Sequence, residues 1–197
     1  MRKKITFIFF LILFFNLQHL VKANDIKEFE IEGISIGDST LDFFNKDEIK
    51  KEKEDEYKYK HTFATIGFTR NFENYETVQI DYKINDKNFK IYGITGVIYF
   101  DDNFNDCLKK KNEIVSELKT SFRNIESRDE NKNHWADKTG NSKTYSTYFE
   151  FKSGGYISVS CYDWSVKKNK EKGWYDNLKV GIISQEFQNF LVKTYEN

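Results

Sequence analysis

The chain has 197 residues, 31 basic and 31 acidic side chains, and no proline. That balance excludes a general nucleic-acid binder, which carries a clear excess of Lys and Arg. It also gives no electrostatic reason to sit on anionic lipid. Lys, Asn, Ile, Phe and Tyr are abundant, and their codons are AT-rich, so the Lys and Asn content is read as coding bias. Without proline, the turns must rest on Gly, Asn and Asp.

The N-terminus predicts export. Arg2, Lys3 and Lys4 precede an apolar run over 5–17, and Val21-Lys22-Ala23 offers small or modest residues to a signal peptidase. This is the three-part pattern of a secretory signal peptide, with cleavage between Ala23 and Asn24. The run is too short to span a bilayer, which takes roughly 20 residues. Cleavage removes Arg2, Lys3, Lys4 and Lys22 and no acid, so residues 24–197 carry 27 basic and 31 acidic groups, a net charge of −4. No cysteine lies near the cleavage site and no Asn-x-Ser/Thr sequon occurs. The expectation is one periplasmic or secreted domain over 24–197, with no stable membrane insertion after cleavage.

In chain order, Phe29-Glu30-Ile31 alternates as a short strand, and Gly33-Ile34-Ser35-Ile36-Gly37 leads into a helix start. Ser39 with Asp42, and then Asn45 with Glu48, resemble capping boxes, so two short helical pieces meet near Asn45. Residues 46–60 are dense in both charges, as in a solvated helix end or loop. Residues 57–68 are β-rich. Val78, Ile80, Tyr82 and Ile84 alternate with polar residues, and a turn at Asn85-Asp86-Lys87-Asn88 returns the chain along 89–100, a hairpin. Phe104, Leu108, Val115, Leu118 and Phe122 recur at helical spacing over 103–123. Residues 128–143 read as a polar loop. A second hairpin joins 144–151 to 156–164 across Ser153-Gly154-Gly155, and 165–173 reads as a basic loop. Residues 174–183 alternate through Leu178, Val180 and Ile182, and Ser184 caps a last helix facing inward through Phe187, Phe190, Leu191 and Tyr195. The class is α+β, antiparallel sheet packed against helices, in the order β-α-βββ-α-βββ-α. Two α-βββ units in tandem are visible in that string, although 35–49 and 100–114 share little residue identity.

Chemical motifs are sparse. Gly33-Ile34-Ser35-Ile36-Gly37 matches the G-x-S-x-G elbow of α/β-hydrolases, but it falls about a dozen residues into the mature chain. Two β-branched isoleucines around Ser35 also suit a strand better than a strained turn. Asp101, Asn103 and Asn105 match the start of a calcium loop. Asp106 and Asn112 then stand where Gly and a bidentate Glu belong, so an acidic helix N-terminus is the simpler reading. Only His61 and His134 follow the signal segment, and they lie apart, so no metal site is expected. No phosphate-cradling glycine loop and no cofactor motif occur. His134, Trp135, Trp164 and Trp174 lie in or beside the two polar loops and are the candidate ligand contacts, since exposed rings stack on sugars or other flat apolar faces.

Cys107 lies on the core side of its helix, and Cys161 follows Ile157 and Val159 at period two, so both point inward. Two inward cysteines in an exported chain predict a disulfide.

Ile31-Glu32-Gly33-Ile34-Ser35-Ile36-Gly37-Asp38-Ser39 and Ser160-Cys161-Tyr162-Asp163-Trp164 resemble a family of small exported proteins from AT-rich bacteria. That family has no assigned activity, so the resemblance implies export. The lead into the first helix, 36–44, is similar to the small α-β module of outer-membrane assembly lipoproteins, without its lipidated cysteine or its Leu-Gly-x-Pro helix exit. It implies an analogy of fold alone. The functional expectation is a non-catalytic binding or interaction domain. It would meet an envelope protein or small ligand through a sheet face or the loops 128–143 and 165–173, without nucleic acid. The alternative is a small hydrolase built on Asp163, His134 and Ser35.

Overall fold

Alternation of apolar and polar residues lays out most of the fold, and short polar caps divide its elements. The coordinates are a computed structural model in which residues 25–100, 103–122 and 125–195 are described. The expected signal segment with Ala23 and Asn24, and Asp101 of the calcium-like run, lie outside the described residues. β1 (Glu30–Ile31) pairs with β2 (Ile34–Ser35) through Glu32 and Gly33, whose φ angles of 55° and 74° are those of a tight hairpin turn. Buried Ile31 and Ile34 anchor this hairpin. Ser39 caps one 3₁₀ turn. Asn45 then caps α1 (Lys46–Glu52), accepting from the N–H groups of Asp47 and Glu48 at 3.0 Å, while Glu48 accepts from Asn45 N–H at 2.8 Å. The two helical pieces do meet at Asn45.

One eight-stranded antiparallel sheet follows, accompanied by helices. Its first half is β3 (Tyr57–Tyr59), β4 (Phe63–Thr69), β5 (Thr77–Lys83) and β6 (Ile91–Tyr99). α2 (Phe104–Ser121) crosses to the far edge, where β7 (Ser127–Asn133), β8 (Lys143–Glu150), β9 (Tyr156–Asp163), α3 (Val166–Lys172) and β10 (Asn177–Ile183) work back inward, and α4 (Gln185–Tyr195) ends the fold. The strand order is β3-β4-β5-β6-β10-β9-β8-β7. Two four-strand meanders therefore meet last strand to last strand, with Ile94 opposite Ile182 across the seam. A helix precedes each meander, so the α+β class is as expected, but each unit holds four strands rather than three.

The extra strands and helix have physical reasons. The β-rich stretch 57–68 splits because Lys60 and His61 turn the chain with φ of 41° and 61°. The first half of the expected loop 128–143 is β7. It is an edge strand with no apolar face, so its sequence carries no hydrophobic alternation. The expected loop 165–173 is α3, capped by Ser165 Oγ and closed by Gly173 in the left-handed region at φ 64°.

Alternate residues divide the sheet into two faces. Ala64, Ile66, Val78, Ile80, Tyr82, Val159, Leu178 and Val180 face α1 and α2 and are buried. Cys107 of α2 and Cys161 of β9 are bridged on this face, with Cα atoms 6.0 Å apart and both side chains fully buried. The disulfide expected from their inward spacing is present. On the opposite face α4 covers the first meander and the Ile183 end of β10. Phe187 packs with Phe63, Tyr92 and Ile183, and its N–H donates to the capping hydroxyl of Ser184 at 3.3 Å.

Candidate functional site

Because α4 covers only half of its face, the sheet is left open over β7, β8 and β9. The side chains there come from the registers opposite the core set. β9 presents Tyr156, Ser158, Ser160 and Tyr162, and its Ile157, Val159 and Cys161 point the other way. Across the pairing, Arg128 lies beside Tyr148, Glu130 beside Ser146, and Lys132 beside Thr144. The result is a groove of about 830 Å³ between α4 and β7. Tyr156 and Tyr162 form its floor. Arg128, Glu130, Lys132, Tyr148 and Glu150 form one wall. Gln188, Leu191 and Val192 of α4, with Tyr57 and Tyr59 of β3, form the other, and Trp135 stands at the mouth.

The charged wall is internally paired. Arg128 donates to Glu130 at 2.7 Å and lies 3.7 Å from Glu150, and Lys132 pairs with the same Glu130. These two cations hold the Glu130 carboxyl below its usual range. The Arg128 guanidinium also sits 4.8 Å from the centre of the Tyr148 ring, and Tyr148 meets Tyr156 edge to face at 5.6 Å.

Beneath the tyrosines a buried carboxyl and a half-buried ammonium stand on the sheet. Asp81 is 5% exposed, and burial pushes its carboxyl up to about 6, against the opposing pull of the Thr65 hydroxyl and Lys179. Lys179 donates to Gln79 Oε1 at 3.1 Å and lies 5.5 Å from the Tyr162 ring centre. Burial pushes its ammonium down. Gly93 leaves the room that Asp81 fills, since a Cβ there would stand 2.2 Å from Asp81 Oδ2.

The four aromatic residues singled out in the sequence form one cluster at the groove mouth. His134 lies 4.4 Å from Trp164, 5.7 Å from Trp135 and 5.6 Å from Tyr162, and Trp164 lies 4.5 Å from Trp174. Trp135 is 74% exposed and lines the groove, while Trp164 and Trp174 stand behind it. His134 Nδ1 accepts from Ala136 N–H at 3.2 Å. Burial, then Lys179 and Lys132, push its pKa down. Asp137 fixes the loop. Its carboxylate accepts from Thr139, Ser142 and Ser165, and these bonds hold it well below the usual carboxylate range.

Comparison with protein-family models, curated proteins and solved structures finds no match to the chain.

Ser35 lies apart from His134 of the expected hydrolase set. Ser35 belongs to the β1–β2 hairpin, and two residues later Gly37 N–H donates to Ile91 O at the start of β6. His134 follows the β7 end that aligns, through β8, β9 and β10, with Tyr99 at the finish of β6. A full strand of nine residues, roughly 25 Å, separates the two ends. Asp163 ends β9, one residue beyond Tyr162 and on the alternate face. His61 is exposed in the β3–β4 turn. Among the described residues no three His, Cys, Asp or Glu side chains gather as metal ligands, and no helix is long and apolar enough to cross a membrane.

Arg128, Glu130 and Lys132 fall in the segment 128–143 expected to meet a ligand, whereas Tyr57, Tyr59, Tyr148, Glu150, Tyr156, Tyr162 and the α4 residues Gln188 and Val192 were not singled out in the sequence. A usable signal existed in β9. Tyr-x-Ser-x-Ser-x-Tyr runs opposite Ile-x-Val-x-Cys, too polar a face to belong to a second core.

Proposed function

We propose that the protein is an exported, non-catalytic binding domain of the periplasm or cell exterior, holding a partner or small ligand in the tyrosine-walled groove. The groove carries this reading. Its volume falls in the roughly 300–1,000 Å³ span of ligand sites, and it joins an open aromatic surface to a few polar groups. The buried disulfide supports export, because such bonds persist in oxidising compartments. The separation of Ser35 from His134 supports a binding role over a hydrolytic one.

The test is affinity capture from an envelope extract with the mature protein, in parallel with a Tyr148→Ala/Trp135→Ala variant. The wild type should retain a ligand that the variant releases. Equal capture by both would refute the groove as the binding surface. N-terminal sequencing of the native protein should begin at Asn24, and Met1 found intact in a cytosolic fraction would refute export.

A further inference from the structure

The groove carries charge on one wall, and that charge is matched before any ligand arrives. Arg128 and Lys132 face Glu130 and Glu150, with Glu130 shared between the two cations. On the sheet below, Lys179 stands near buried Asp81 and is hydrogen-bonded to Gln79. A charged ligand would have to break these pairs and leave one member unpaired beside a like charge. A neutral ligand would not. Its hydroxyl groups would meet carboxylate, guanidinium and ammonium groups already oriented by one another, which lowers the ordering cost of binding.

The floor selects further. β8 and β9 are interior strands, and their backbone groups are paired on both sides. The floor therefore offers ring faces, phenols and hydroxyls, and no backbone row. An extended peptide docks through main-chain hydrogen bonds at a free strand edge, and no such edge lies in the floor. What the groove offers is the chemistry that recognises a sugar chain. Flat aromatic faces suit the C–H faces of pyranose rings, and paired polar side chains suit their hydroxyls. Trp135 is 74% exposed and Tyr57 is 55% exposed, leaving ring faces free. Tyr156 and Tyr162 lie six residues apart on β9, a floor of roughly 20 Å, long enough for a short oligosaccharide.

We propose that the groove binds a neutral oligosaccharide, stacked on Trp135 and hydrogen-bonded by Arg128, Glu130, Lys132 and Glu150. The proposal rests on the binding-domain reading above and names its ligand class.

The experiment uses the mature protein against cellotetraose, maltotetraose, chitotetraose and mannotetraose by calorimetry, together with an array of neutral, uronic and sulfated glycans and a peptide library. Saturable binding of at least one neutral saccharide is expected. Trp135→Ala should weaken it about tenfold, the worth of one stacked ring. Val166→Ala, on the exposed face of α3, should leave it unchanged. Glu130→Gln frees Arg128 and Lys132 and should move preference toward uronic glycans. The proposal is overturned if no neutral glycan on the array binds, if only charged glycans bind, or if Trp135→Ala leaves neutral-glycan binding intact. Peptides retained by the wild type and lost from Trp135→Ala would also overturn it while sparing the groove as a binding site. If neither Trp135→Ala nor Tyr148→Ala changes any captured ligand, both readings fall.

Discussion

Breaking the Cys107–Cys161 bridge gives the sharpest test of how this fold is held. The bond closes a loop of 54 residues and joins α2 to β9, deep in the second meander. In the chain-entropy account a loop of that length stabilises by about 4 kcal/mol. In a domain of this size each kcal/mol moves the melting temperature by roughly 2–4 °C. Reduction should therefore lower it by roughly 8–16 °C. A Cys107→Ala/Cys161→Ala variant should fall further, because both sulfurs are fully buried and their removal leaves space in the core. Thermal unfolding of oxidised, reduced and variant protein, followed by circular dichroism, measures the difference. A reduced protein that melts within about 2 °C of the oxidised one would refute the reasoning, since it would mean that the unfolded chain gains almost no freedom when the loop opens.

Two further outcomes follow from the sheet below the groove. Asp81 titrates near 6 in the folded protein against an ordinary 3.8. Between those values the folded state keeps a proton that the unfolded chain has released, so stability should fall as pH rises through that window, by about 3 kcal/mol in all. Asp81→Asn should flatten this slope, and an unchanged slope in urea titrations from pH 3.5 to 7 would rule Asp81 out as its source. Gly93→Ala should cost about 1–3 kcal/mol, because its Cβ meets the Asp81 carboxylate. That cost should shrink in an Asp81→Ala background, and equal costs in the two backgrounds would mean that the two residues do not share this space.

Elements with a hydrophobic face were legible in the sequence. The β5–β6 hairpin, the core side of β9 and the inward Cys161 follow from period-two spacing, and the inward Cys107 from its place on a helix. α2 follows from period 3.6, and α1 from the Asn45–Glu48 cap. β7 was not legible, because Arg128, Glu130 and Lys132 point into the groove while Asp129 and Asn131 point the other way, and nothing apolar marks either side. Its strand state comes from pairing with β8, a tertiary cause. α3 is the opposite case. Ser165 at its start and Gly173 at its end are ordinary capping signals, outweighed in the sequence by a run of lysines. The site was half legible. Exposed Trp135 pointed to the groove mouth, but the tyrosine floor reads from the sequence as the unremarkable second face of strands. Only the placement of α4 over the first meander and the end of β10, with β7 and β8 left uncovered, turns that face into a cavity.

The seam between the two meanders also sets the order in which the chain can complete its sheet. β10 inserts between β6 and β9, and its Val180 pairs with Gly96, which precedes it by 84 positions. A chain that folds from its N-terminus thus presents two half-sheets, each with an unpaired edge, until residues 177–183 emerge. Such long-range pairing is slow, and open edges invite pairing with other chains. Loss of the segment from Asn177 onward would accordingly leave two sticky fragments joined by α2, rather than a smaller version of the same fold.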